Sequence, residues 1–200
     1  MAQYDLRDIK VAKYVNNNGT VTYTGATKAG DAMAVNLEMR NAEGRLYAES
    51  TLAEYMRKAV GGTISMGVKF LSDAVQTLLF GAAAKSRSIT YVVGTTEVTE
   101  SVAGVAYGAN TTANYVGVAC YSPCMRDGVQ KYLCLFIPKA LFGPPSMSLN
   151  TCGENINFDT PTTNGEFLAS DATDKEMYET VTVDSEAAAI AWVDAVFSAA

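Results

Sequence analysis

Short segments in which polar and apolar residues alternate, separated by turn residues, occur along most of this 200-residue chain. In Asn155–Asp159 the alternation has the two-residue period of a strand with one buried face and one face in water. Pro161 follows, and Asn164-Gly165 predicts a tight turn before an extended pattern resumes at Glu166. A chain with this pattern is predicted to fold mainly as β-structure.

Further strands are predicted on both sides of that stretch, because these segments alternate or are rich in β-branched and aromatic residues. Two of them flank Arg126-Asp127-Gly128 and predict a hairpin. The predicted strands are Asp8–Val15, Val21–Tyr23, Ala32–Met39, Arg45–Ala48, Thr63–Phe70, one or two within Ser88–Tyr107, Tyr115–Ser122, Gln130–Ile137 and Tyr178–Val183.

Only two helices are predicted, and the first is short. Ser72 is a favourable N-cap for it and Gly81 is a favourable stop. Its apolar residues recur at i, i+3 and i+4, which gives the helix one buried face. They are Val75, Leu78 and Leu79.

The second predicted helix lies near the C-terminus and begins at Asp184 or Ser185. Many short strands with two peripheral helices predict a mainly β fold class, a β-sandwich or barrel with a short internal helix and a C-terminal helix. Residues 1–200 are predicted to form a single domain, because no repeat or linker divides them. The apolar face of the second helix is predicted to contain Ile190, Val193 and Phe197, near Trp192 and Val196.

Composition and hydropathy favour a folded chain outside the membrane. Apolar residues make up 48% of the chain and charged residues 18%, which is enough apolar material for a core. The first ten residues contain no apolar signal region, and no segment reaches about 18 consecutive apolar residues. We therefore expect a soluble protein that is made in the cytoplasm.

Charge is unevenly distributed along the chain. The net charge is -6; residues 1–100 carry 11 basic and 10 acidic side chains, whereas residues 101–200 carry 4 and 11. Tight DNA binding requires clusters of lysine and arginine that neutralise phosphates, and no such cluster is present. The simplest interpretation of the acidic half is a solvated surface.

The cysteines raise the question of a metal site. A zinc site would need all four thiolates, because the chain contains no histidine. The predicted hairpin would bring Cys120 and Cys134 close together, but buried, reduced cysteine is the favoured interpretation. The four residues are Cys120, Cys124, Cys134 and Cys152.

No catalytic residue, metal or cofactor is predicted. Histidine, the commonest general base, is absent, and no nucleophile elbow, phosphate-binding loop or dinucleotide fingerprint occurs. Asp171, Asp174 and Glu176 form an acidic cluster, but their spacing lacks the glycine of a calcium-binding EF-hand loop and predicts an exposed loop.

The order of these segments resembles that of the major tail tube proteins of long-tailed, siphovirus-type bacteriophages. The resemblance covers nearly the whole chain and depends on the order of the segments, since each of them alone is weak. It departs at residues 88–112, which are longer, and at Tyr132–Phe142, which is more apolar. The segments are DLRDIKVAKY, GRLYAESTLAEYMRKAVGGTISMGVKF, SDAVQTLLFG, YVGVACYSPCMRDGVQKYLCLFIPKALF, INFDTPTTNGEF and SEAAAIAWVDAVF.

This resemblance implies a structural virion protein. Proteins of the family form hexameric rings that stack into a hollow tube, the conduit for DNA ejection into the host cell. The implied partners are copies of the chain itself and other tail proteins, such as the tape measure and tail terminator proteins. DNA would pass through the lumen without tight binding, and the protein would be made in the host cytoplasm and located in the virion tail.

Ser50–Gly62 shows no clean alternation and is predicted to be an extended loop. An apolar segment that cannot bury itself often packs against a neighbour, so we expect it to contact other subunits. A mobile surface loop is the alternative. The candidate subunit-interface residues are Tyr47, Leu52, Tyr55, Met56, Arg57, Lys58 and Val60.

The acidic half of the chain allows a further hypothesis. Carboxylates that faced the lumen would repel phosphates and let DNA slide, whereas a basic wall would bind it. Two other classes of function stay open. One is a monomeric β-sandwich adhesin or carbohydrate-binding module, and a more distant one is a metal-dependent enzyme built on the four cysteines.

Overall fold

The computed structural model describes residues 2–147, residue 151 and residues 160–198. Within these residues the chain is mainly β, with eleven strands and two short helices, as the sequence predicts. The elements are β1 (Ala2–Gln3), β2 (Arg7–Asn17), β3 (Thr20–Lys28), β4 (Ala32–Ala48), β5 (Thr51–Val68), α1 (Asp73–Phe80), β6 (Ala83–Val93), β7 (Thr96–Ala106), β8 (Tyr115–Arg126), β9 (Val129–Phe142), β10 (Thr162–Phe167), β11 (Glu179–Val183) and α2 (Glu186–Ala195).

Nine strands form one antiparallel sheet, and two strands form a separate hairpin. The path through the sheet is β3-β2-β8-β9-β10-β5-β4. Beyond that path, β1 pairs with β8 next to β2, and β11 pairs with β9 next to β10. The separate hairpin consists of β6 and β7, which pair only with each other among the described residues.

The sheet separates two hydrophobic clusters. Along β8 the side chains alternate between them: Val118 and Cys120 belong to the first, and Ala119 and Tyr121 to the second. The first cluster combines residues of β2, β5, β8, β9 and β10 with α1. Because β2 and β5 are distant along the sheet and yet share this cluster, the sheet curves around α1. In the second cluster, α2 packs on the opposite face.

The first predicted helix is confirmed as α1. The Ser72 hydroxyl accepts a hydrogen bond from the Val75 amide, and Gly81 ends the helix in the left-handed region with φ 68°. A Cβ at Gly81 would lie 2.1 Å from the Thr112 carbonyl oxygen, so both the turn and the close approach require glycine. Val75 and Leu79 are buried, and Leu78 packs at the edge of the first cluster.

The second predicted helix is confirmed as α2, with Ser185 as its N-cap. Its buried face is Ala189, Val193 and Phe197, which recur every four residues. The prediction that Ile190 lies on that face is wrong, because this side chain is exposed. The small Ala189 lets the helix approach the sheet, and its neighbour Ile190 therefore points away from the sheet.

Two predictions about extended segments are corrected. Residues 50–62 are not a loop: all but Ser50 lie in β5, which pairs with β4 along the length of both strands. Asn164-Gly165 is not a turn, because both residues lie within β10 between β5 and β9. The strand predicted at Asn155–Asp159 lies outside the described residues. Ala32–Met39 and Arg45–Ala48, predicted as two strands, form the single strand β4. The remaining predicted strands, and the hairpin turn at Arg126-Asp127-Gly128, are confirmed.

Candidate functional site

Two hairpins extend beyond the core and carry most of the exposed apolar side chains. The first, called here the β4–β5 tip, comprises residues 41–60, of which all but Asn41 and Ala59 are exposed. The second is the β6–β7 hairpin, residues 83–106, in which all eleven residues of β6 are exposed. A two-stranded ribbon with both faces in water is at best marginally stable by itself. These hairpins are therefore the surfaces that most need a partner.

All seven predicted interface residues lie on the β4–β5 tip and are exposed, Met56 to 73%. They do not form one surface. Tyr55 and Arg57 point to the same side of the hairpin as their cross-strand partners, Arg45 and Glu43, as the strand register requires. Met56 and the neighbouring Lys58 point to the other side. Tyr47 pairs with Leu52 near the turn, and Val60 lies beside an irregularity in the register at the base.

The Tyr55 side of the tip is held by its own charges. The Glu43 carboxylate lies 3.5 Å from Arg57 and 3.7 Å from Arg45, and the Arg45 guanidinium lies 5.6 Å from the centre of the Tyr55 ring. Partial burial and the adjacent Glu43 carboxylate raise the pKa of Tyr55. This side is compatible with water. The Met56 side, which also carries Leu46, has no comparable polar network among the described residues.

The base of the β6–β7 hairpin is anchored to the core. The Tyr107 hydroxyl donates to Gln76 in α1 at 3.0 Å, and the Tyr107 ring lies 6.3 Å from the ring of buried Phe80. Asn114, just after the hairpin, donates to the carbonyl oxygens of Thr77 and Leu78 at the end of α1. These contacts fix the direction in which the hairpin leaves the domain.

The sequence predicted one or two strands here but placed no interface residue on them. The missed signal is the alternation of Ile89, Tyr91 and Val93, whose side chains fall on one face of the β6–β7 hairpin together with Val98 and Val102. Alternation was interpreted as the sign of a half-buried strand. In this hairpin, however, the apolar face is covered by no other described part of the chain.

Most acidic side chains of residues 101–200 form ion pairs within the subunit. Asp171 contacts Lys139 at 2.7 Å, Asp184 contacts Lys131 at 2.6 Å, and Glu186 contacts Arg7 at 2.6 Å. These contacts lower the pKa of each of the three carboxyl groups. Asp127, Glu166 and Asp194 are also paired. The excess negative charge of this half is therefore largely compensated by lysine and arginine from the folded chain.

Among the described residues of 101–200, three carboxylates form no ion pair, namely Asp174, Glu176 and Glu179. They line one cavity of about 380 Å³ next to the rings of Tyr23 and Phe136. Burial, and then the charges of Asp174 and Glu179, raise the pKa of Glu176. This acidic cluster therefore groups three carboxylates that no ion pair among the described residues compensates.

The three described cysteines are buried and carry free thiols. The predicted proximity of Cys120 and Cys134 is confirmed for the backbone, because Cys120 is opposite Leu135 and Cys134 is opposite Tyr121, one position apart along the β8–β9 pairing. Their side chains nevertheless belong to different clusters. Burial raises the pKa of Cys120 to about 12 and that of Cys134 to about 11, which disfavours the thiolate. Cys152 lies outside the described residues.

Within residues 2–147, 151 and 160–198, no group of three or more cysteine, aspartate or glutamate side chains is arranged to hold a metal ion. No helix in the same part of the chain is both long and apolar enough to cross a bilayer. No family model matches the sequence, and no curated protein matches it.

Proposed function

We propose that this chain is a major tail tube protein of a long-tailed bacteriophage. Its subunits form hexameric rings, and the rings stack into the hollow tube through which DNA leaves the capsid. The observation that carries the proposal is the pair of long antiparallel hairpins whose two faces are both exposed in the single subunit. The proposed role is structural and requires no catalytic group or cofactor.

Unpaired strand edges support an assembly role. The strands β3 and β4 end the path through the sheet, and each strand of the β6–β7 hairpin has one edge that no described strand covers. Exposed edges of this length promote pairing between chains. A closed ring, in which each copy pairs its edges with the next copy, satisfies these backbone groups and removes the open ends at which uncontrolled aggregation would begin.

The exposed apolar side chains support the same conclusion. Leu46, Leu52 and Met56 on the β4–β5 tip, and Tyr91 and Val93 on the β6–β7 hairpin, are each 40% exposed or more. Monomeric proteins seldom expose contiguous apolar patches, and such patches usually mark interfaces. The seven interface residues predicted from the sequence stay candidates, with Met56 on one side of the tip and Tyr55 on the other.

Electron microscopy of the purified protein at high concentration tests the proposal. We expect six-fold rings or tubes, and we expect the mass measured by light scattering to rise with protein concentration. Discrete monomers at every concentration would contradict it. Monomers that also bound glycans on an array would instead favour the adhesin or carbohydrate-binding alternative.

A further inference from the structure

The two faces of the β6–β7 hairpin differ chemically. The register pairs Ser88 with Ser101 and Ile89 with Glu100, so neighbouring residues of β6 point to opposite sides. One side, the hydroxyl face, contains Ser86, Ser88, Thr90, Thr99 and Ser101, with Val92 and Glu97 on the same side next to the turn. The other side, the Ile89 face, contains Lys85, Arg87, Ile89, Tyr91, Val93, Val98, Glu100 and Val102.

Four hydroxyl groups of the hydroxyl face pair with each other across the two strands. The Ser86 and Ser101 hydroxyls are 2.6 Å apart, and the Thr90 and Thr99 hydroxyls are 2.8 Å apart. Cross-strand hydroxyl pairs of this kind stabilise a sheet surface that remains in water. Small hydroxyl side chains also expose little apolar area, so, apart from Val92 next to the turn, which is 66% exposed, covering this face would gain little from the hydrophobic effect.

The Ile89 face has the opposite character. Tyr91 is 40% exposed and Val93 is 59% exposed, although branched and aromatic side chains gain about 1.5–3 kcal/mol each on full burial. Lys85 and Arg87 lie on the same face near the base and form no ion pair with any described residue. The face therefore combines unburied apolar surface with two cations and one carboxylate, Glu100, which together give it a net positive charge.

We propose that a second copy of this chain covers the Ile89 face of the β6–β7 hairpin, and that the hydroxyl face stays in water. The argument for a second copy is charge complementarity. Among the described residues, each subunit carries a net positive charge on this face, from Lys85 and Arg87 against Glu100, and the acidic cluster Asp174, Glu176 and Glu179 elsewhere, so the two surfaces have opposite charge. The inference rests on the proposed function, in which the hydroxyl face of the hairpin would line the channel.

Cysteine labelling of two neighbouring positions tests this assignment. Ser88→Cys and Ile89→Cys lie on the same strand and on opposite faces, and the unsubstituted protein sets the background because its described thiols are buried. In concentrated, assembled protein we expect maleimide labelling of Ile89→Cys to slow by about tenfold or more relative to dilute protein. Labelling of Ser88→Cys should stay within about twofold of its dilute rate.

Lysine variants at the same positions give an independent readout. Ile89→Lys places a charge in the covered face and should raise the concentration needed for assembly by about tenfold or more, whereas Ser88→Lys should leave it nearly unchanged. The hairpin contributes no residue to either hydrophobic cluster, so the fold of both variants can be checked by their unchanged thermal unfolding.

The outcomes separate this inference from the proposed function. Tubes or rings with equal labelling at both positions would overturn the inference and leave the proposed function standing. A closed dimer that protects Ile89→Cys would support the inference and contradict the tube. A monomer at every concentration would overturn both. Protection of Ile89→Cys by phosphatidylglycerol vesicles, without self-association, would also overturn the inference.

Discussion

At the scale of single residues, close backbone contacts decide where glycine is required. Gly165 lies in the central strand β10, and a Cβ there would lie 2.3 Å from the Leu141 carbonyl oxygen in the adjacent β9. Because the obstacle is backbone of a paired strand, it cannot move aside without breaking the sheet. Glycine at this position serves the close approach of two strands rather than a turn.

We expect Gly165→Ala to lower the free energy of unfolding by about 1–3 kcal/mol, the range for overpacking in a tightly packed site. Urea unfolding followed by fluorescence of the single tryptophan, Trp192, measures this. Gly44→Ala is the matched control, since a Cβ there meets no atom within 4 Å. Equal stability of the two variants would contradict the steric explanation.

A second set of contacts at the scale of single residues holds the loop before β11 against the sheet. The Asp171 carboxylate accepts hydrogen bonds from the Tyr14 hydroxyl at 3.0 Å and from Lys139 at 2.7 Å, and the Asp171 amide donates to the Tyr14 oxygen at 2.9 Å. Lys139 also lies 5.3 Å from the Tyr14 ring centre. These contacts attach the loop to β2 and β9.

We expect Asp171→Asn to lower stability at pH 7 by about 1 kcal/mol, since the carboxylate is partly exposed and its pair is screened by water. The hydrogen bond from Lys139 lowers the pKa of Asp171 below its ordinary value of 3.8. The stabilisation contributed by the Asp171 carboxylate is therefore present above pH 3.8 and is lost as the pH falls through the lowered pKa that Asp171 has in the folded protein. Denaturation curves of variant and parent should converge in acid; a gap that persisted there would contradict this account. Asp127→Asn, at an exposed turn, is the control.

At this scale the sequence predicts helix caps well and close approaches poorly. Ser72, Gly81 and Ser185 were identified because capping depends on local hydrogen bonds within a few residues of chain. Gly165 was assigned to a turn because Asn-Gly favours one locally. Its neighbours across the sheet, which determine its role, are distant in the sequence and could not be identified from it.

At the scale of elements, the β4–β5 hairpin shows why a strand can look like a loop. Both faces of the tip are exposed, so its residues need not alternate between polar and apolar. Its turn is formed by Glu49 and Ser50, both with positive φ, where such turns usually contain asparagine or glycine. The register also shifts twice in the tip. Neither the turn nor the strand therefore left a recognisable pattern in the sequence.

The β6–β7 hairpin makes a prediction at the same scale. Replacing residues 87–102 by a two-residue Asn-Gly turn would join Ser86 to its cross-strand partner Ala103. The two hydrophobic clusters contain no residue of the removed segment, so the free energy of unfolding should change by less than about 1 kcal/mol. Self-association, measured by sedimentation velocity, should be lost.

Two results would contradict this view of the hairpin. An unfolded truncated protein would mean that the hairpin is part of the core. A truncated protein that still assembled would mean that the hairpin is not an interface. Replacing the turn residues Gly94 and Thr95 with another two-residue turn, at full hairpin length, is the matched control and should preserve assembly.

At the scale of the whole molecule, a tube of the proposed kind must let DNA pass without binding it tightly. The sequence suggested an acidic wall, but most described carboxylates of residues 101–200 are paired with cations of the same subunit. A wall of hydroxyl groups with a single carboxylate, Glu97, as on the Ser88 side of the β6–β7 hairpin, would also give phosphates no cationic partner. Low affinity for DNA therefore does not depend on net negative charge.

We expect phage whose tail tubes contain Ser88→Lys to assemble and to eject DNA more slowly, because each ring would add positive charges that attract phosphates. Real-time ejection measured by fluorescence of a DNA-binding dye tests this, and the delay should shrink at high salt. Ser88→Gln, which adds bulk without charge, is the control. Unchanged ejection by Ser88→Lys phage would contradict a channel position for this face.

The central claim is that the exposed strands complete their pairing only with other copies of the chain. Hydrogen exchange of the backbone amides, compared between dilute subunits and assembled protein, tests it most directly. The account predicts fast exchange along the β6–β7 hairpin and residues 41–60 in dilute subunits, and strong protection of the same amides after assembly. Amides that were already protected in dilute subunits, or that stayed unprotected in rings or tubes, would contradict it.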